Sequence, residues 1–150
     1  MRRFLCTVLV VLLLLSFPGC MMISYEDTNG EDDFSLQTLT DQDIIGSSSC
    51  SKYMSSTTTM GNRTVCKVQT MSGVETLFQK RMENQRLDIL VSCAVTKGNA
   101  RLVLVVDDTI VHEFALNKDN QHLTLENVTG KVSLKLAGES TGYTVTFEWK

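Results

Sequence analysis

Proline is almost missing from this chain: the single proline among 150 residues is Pro18. Everything after it lacks a fixed-φ residue, which excludes proline-stiffened spacers and leaves Gly, Asn, Asp and Ser to make the turns. Histidine is nearly as scarce, with His112 and His122 alone, so His-rich zinc motifs are excluded. The chain also reads as lacking a nucleophile-elbow pattern around serine and a phosphate-cradling Gly-rich loop. Lys and Arg are absent between residues 21 and 45, and elsewhere they are scattered without interleaved aromatics. That pattern excludes a nucleic-acid-binding surface. Beyond residue 23 there is no apolar run long enough to span a bilayer.

What is present is concentrated at the start. Arg2 and Arg3 precede an almost unbroken apolar run, Phe4 to Phe17, which stops at Pro18-Gly19-Cys20. A basic start, a core of this length and a small residue before a break are the layout of a secretory signal peptide. The core is short for a spanning helix, which needs about twenty residues. Met21-Met22-Ile23 extend it towards that length, so an uncleaved anchor is a second reading and plain secretion a third. All three place residues after about 24 outside the cytoplasm.

The segment ending Phe17-Pro18-Gly19-Cys20 resembles the lipobox of bacterial lipoprotein precursors. That family favours Leu, then Ala or Ser, then Gly or Ala before its cysteine; Gly19 matches and Pro18 departs. The resemblance implies a signal peptide over 1–19, cut just before Cys20, and a lipid on the Cys20 thiol. It implies a protein exported and held on the outer face of the cytoplasmic membrane.

Charge and composition divide the remainder. Residues 21–45 hold seven acids, whereas residues 46–150 hold twelve bases and ten acids and are nearly neutral. Acids followed by Gly46-Ser47-Ser48-Ser49 and Ser55-Ser56-Thr57-Thr58-Thr59 predict a disordered tether over 20–59, with at most a short element around 34–45. Asp27-Thr28-Asn29-Gly30-Glu31-Asp32-Asp33 has calcium-loop composition. Its glycine follows the first Asp by three residues where an EF-hand needs five, so it reads as tether.

From about residue 60 the chain becomes rich in Val, Thr, Leu and Ile, in runs separated by turn formers. Leu87, Ile89, Val91, Cys93 and Val95 alternate with their neighbours, as do Tyr143, Val145, Phe147 and Trp149, and each set reads as a half-buried strand. Residues 74–86 also suit a surface helix. Strands at intervals of about ten residues predict an all-β domain over 60–150, an antiparallel β-sandwich of jelly-roll or Ig-like type with about seven to eight strands. The rhythm of residues 86–150, with its Gly-Asn turn, Asp-Asp turn and final aromatic strand, resembles small β-sandwich lipoproteins of Gram-positive bacteria, whose activity is mostly unassigned.

With Cys6 in the signal and Cys20 lipidated, Cys50, Cys66 and Cys93 remain, an odd number that cannot all pair. Cys66 and Cys93 lie on apolar sides of alternating runs, which suits core packing or a Cys66–Cys93 disulfide. His112 reads as a core imidazole and His122 as a solvated one; a Cys93–His112 nucleophile needs an adjacency that sequence does not show. Asp107-Asp108 reads as a hairpin turn. Glu113, Glu126 and Glu148 offer carboxylates, but no spacing sets a pair apart. Tyr143 and Trp149 share an apolar face, which suits burial more than an aromatic platform. No catalytic residue, metal site or cofactor is assigned. The sequence reads as a non-catalytic binding or surface module that contacts the membrane through Cys20 and takes a protein or carbohydrate ligand. The alternatives are an envelope hydrolase with an unrecognised site and a soluble secreted protein.

Overall fold

The computed structural model describes residues 39–150. The signal segment, Cys20 and the acidic stretch through residue 38 lie outside the described residues. Strands take up 83% of the described residues and helix 5%, and every strand pairing is antiparallel, so the β class read from the sequence holds. The elements are α1 (Asp41–Gly46), β1 (Cys50–Met60), β2 (Arg63–Val106), β3 (Thr109–Phe114) and β4 (Lys118–Trp149).

At about 3.3 Å per residue, a straight strand the length of β2 would reach roughly 145 Å, so it has to bend. Positive φ at Gly73, Asn84 and Gly98 in β2, and at Asn127, Gly130 and Ser140 in β4, marks where the chain turns away from a flat pleat. Between them the two strands form one long antiparallel ribbon, from Arg63 opposite Glu148 to Cys93 opposite Lys118. A second register joins their other edges, from Ile89 opposite Trp149 to Val106 opposite Val132. Ile89 therefore pairs with both Leu123 and Trp149, and the ribbon is wound back on itself. β1 pairs with the start of β2 and β3 with its end.

Winding brings inward-facing residues into one core. Leu87, Ile89, Val91 and Cys93 share a buried cluster with Leu102, Leu104, Leu134, Leu136, Tyr143, Val145 and Phe147. The alternations read around 87–95 and 143–149 describe these faces correctly. Val103, Val105 and Ala137 point the other way and form a second cluster with Val74 and Ile44. That second cluster is why α1 exists. Six residues do not hold a helix alone, but Ile44 is fully buried on the sheet. Thr40 and Asp43 form a reciprocal capping box at the N-terminus. At the other end Lys135 Nζ donates to the carbonyls of Ile44 (3.0 Å), Ile45 (2.5 Å) and Ser47 (2.9 Å).

Two readings are corrected here. The tether expected to run to residue 59 is ordered at its end: α1 meets the short element allowed around 34–45, but the strand β1 was not expected, and it holds by edge pairing while nearly all its side chains stay exposed. Apolar alternation therefore gave no sign of it. Residues 74–86 are strand, as the run 74–82 reads, and not the surface helix offered as its alternative, because Val74 packs beneath α1 and Phe78 pairs opposite Leu134.

Candidate functional site

The most concentrated polar chemistry lies where β1, β2 and β4 meet beside Gly73. Gly73 pairs with both Cys50 and Gly138 at φ 118°, and a Cβ there would sit 2.4 Å from the Ser49 carbonyl oxygen. The close approach brings Lys52, Glu75 and Tyr143 together. Glu75 is 14% exposed at its side chain; Oε1 accepts from Lys52 Nζ at 2.7 Å and Oε2 from the Tyr143 hydroxyl at 2.5 Å. Burial, then the Glu75 carboxylate, pushes the Tyr143 phenol well above its ordinary value. Burial and the same carboxylate push the thiols of Cys50 and Cys66 up, partly countered at Cys66 by the Thr57 hydroxyl donating to Sγ at 3.8 Å. Lys52 moves up too, through its bond to Glu75. The phenol and thiols all stay protonated at neutral pH, so the cluster holds the bend together and presents no activated nucleophile.

Two recesses open in the domain, the first against Tyr143. One of about 490 Å³ is lined by Met54, Lys67, Gln69, Thr96, Tyr143 and Thr144 among others. The second, of about 300 Å³, is lined by Phe78, Met82, Leu87 and Trp149 and rimmed by Lys80, Arg86 and Lys150. Trp149 stacks on Phe78 at 3.8 Å between ring centroids and meets Phe147 edge-on at 6.0 Å. The expectation of burial is met in part: Trp149 packs against the core yet lines a recess. Among the described lining residues neither recess contains a carboxylate side chain or a histidine. Their walls are apolar, hydroxyl-bearing and cationic, suited to holding a ligand.

The residues singled out from the sequence do not converge. Cys50, Cys66 and Cys93 are free. Val145 lies between Cys66 and Cys93 in the sheet, so they are two strand spacings apart, about 9.6 Å. A disulfide needs Cα atoms within about 7 Å, which corrects the bridge offered as the alternative to core packing. Cys93 and His112 share no strand pairing, since His112 lies opposite Leu104 and sets its ring edge against Phe114. His112 is half-buried. His122 is solvated as expected, and its Nε2 lies 2.5 Å from Asp88, whose carboxyl it holds below the usual range. Asp107 takes the turn role: its carboxylate accepts from the Lys131 amide at 2.7 Å, while its own amide donates to the Lys131 carbonyl.

The carboxylates are dispersed among separate partners. Glu113 takes a bidentate bond from Arg101, which also reaches Asp41; Glu126 pairs with Arg86 and Glu148 with Asn62. The reading that the nucleophile-elbow pattern around serine is absent is corrected: Gly138-Glu139-Ser140-Thr141-Gly142 has the Gly-x-Ser-x-Gly form. Ser140 even has φ 47°. The motif works at a strand-to-helix turn beside a histidine, whereas this one is a bend inside β4 whose Ser140 amide donates to Ser72 Oγ. No group of three His, Cys, Asp or Glu suited to a metal occurs among the described residues.

No protein-family model matches the chain, and comparison with curated proteins finds no relative.

Proposed function

We propose that this chain is an exported lipoprotein, anchored by a lipid on Cys20 at the outer face of the cytoplasmic membrane, and that its folded domain is a non-catalytic binding module. The observation that carries the binding reading is the pair of recesses lined without acid or imidazole, while the nearby Glu75 and Asp88 are committed to partners within the fold. The wound ribbon of β2 and β4 supports a two-layered sandwich of jelly-roll or Ig-like type with about seven to eight strands. The ligand is a protein or a carbohydrate from the envelope; aromatic walls with a cationic rim at Phe78 and Trp149 suit an anionic glycan best.

The test has two arms. Mass spectrometry of the mature chain finds a lipid-modified Cys20 at the N-terminus, and Cys20→Ala moves the protein from the membrane fraction to the medium. Unchanged membrane association of Cys20→Ala refutes lipid anchoring. Trp149 is the only tryptophan, so titration with soluble cell-wall glycan fragments shifts its emission to saturation. A flat titration refutes the glycan ligand, and turnover of the fragments refutes the non-catalytic reading.

A further inference from the structure

Among the described residues β1 pairs with β2 alone, which leaves its other edge open over eleven residues. From Ser55 to Met60, beyond Lys52 and the interruption at Met54, the open edge lacks the usual protection against pairing. The only charge in β1 is Lys52, and it contains no proline. The edge running through 118–128 instead carries Lys118, Asp119 and Glu126, with positive φ at Asn120 and Asn127. Tyr53, Met54 and Met60 are 65%, 67% and 77% exposed, three of the four large apolar side chains that stand out from the described surface.

The hairpin fixes which backbone groups face outward. Met60 opposes Arg63 across a two-residue loop begun by Gly61 at φ 62°, so Met60–Arg63 is the hydrogen-bonded closing pair. By alternation Thr58 and Ser56 also bond inward, and the N–H and C=O groups of Ser55, Thr57 and Thr59 point to the open edge. Thr59 and Thr64 hydroxyls meet at 3.1 Å, the closeness of a pair whose backbones do not bond each other. At Met54, φ 50°, one pairing is missing although the register is the same on both sides, and the uninterrupted edge ends there.

We propose that β1 is the interface between two copies of this chain, joined edge to edge and antiparallel about a two-fold axis at Thr57. Ser55 then faces Thr59 of the second copy, and the outward groups of Ser55, Thr57 and Thr59 supply about six interchain hydrogen bonds. Met54 faces Met60 of the second copy, and the symmetric contact repeats it. The regular stretch 55–59 is uncharged and hydroxyl-bearing, so no like charges oppose each other and Thr and Ser meet Thr and Ser. The same strand is its own complement, which an unrelated extended peptide does not need.

Full-length protein in detergent micelles tests this directly. Ser56 faces Thr58 of the second copy, so a mixture of Ser56→Cys and Thr58→Cys chains forms an intermolecular disulfide between those positions on mild oxidation, located by peptide mass spectrometry. Neither variant alone cross-links through its new cysteine. Wild type sediments as a dimer, and Thr57→Lys, which opposes two ammonium groups on the axis, weakens it on the order of tenfold or more without changing the far-ultraviolet spectrum. The proposal is overturned by a wild type that stays monomeric at its highest soluble concentration. It is equally overturned by a dimer indifferent to Thr57→Lys, or by cross-links that form as readily within the single variants.

Discussion

Burial alone pushes the Cys93 thiol from 9.0 up to about 11. The folded chain therefore keeps a proton that the unfolded chain surrenders over that interval. The resulting stability is complete below pH 9 and drains as pH rises towards 11. Cys50, Cys66 and Tyr143, each also raised, act in the same direction, while Lys135, lowered by burial, acts weakly against them. The melting temperature is expected to fall between pH 9 and 11 in circular dichroism. Cys93→Ala lowers it throughout but makes that alkaline decline shallower; an unaltered slope would remove Cys93 from the explanation. The burial of Cys66 and Cys93 was legible from alternation. Their separation was not, because the strand that divides them comes from residues 141–149, far away in the chain.

α1 depends on one side chain from a distant strand. Lys135 sits 5% exposed within a run of Val, Leu and Ala, where the sequence offers no reason to expect an ammonium inside. Its three donors satisfy carbonyls that a helix end leaves without intrahelical partners. Lys135→Met keeps the stem and removes the donors, and is expected to cost roughly 1–3 kcal/mol, read as a lower urea midpoint. Hydrogen exchange should also quicken at the Ile44 and Ser47 amides, which donate to Thr40 and Asp43. Equal protection in both proteins would show that Ile44 packing alone holds the helix. β1 was hidden for a related reason: Ser and Thr carry no inside–outside signal, and its pairing partner lies in β2, not in its own pattern.

At the scale of the whole molecule, β2 and β4 run through both the inward-facing cluster and the one beneath α1, so neither part can come apart while the other stays intact. Urea unfolding followed by Trp149 fluorescence and by far-ultraviolet circular dichroism should give coincident transitions. Separated midpoints would reveal independent halves. Period-two alternation made the strand character beyond β1 and much of the core legible. The winding was not legible, because it depends on Ile89 bonding to both ends of β4, a closure no local window contains. The recesses went unseen for the same cause: Phe78, Leu87 and Trp149 become neighbours only after the ribbon closes.

That closure also sets a clock. Arg63 finds its partner Glu148 only when the last few residues exist. At about 5–20 residues per second, an 85-residue gap takes a ribosome roughly 4–17 s to fill. Throughout that interval the apolar faces of β2 have no finished partner, and the nascent chain depends on whatever shelters it until Trp149 has been made.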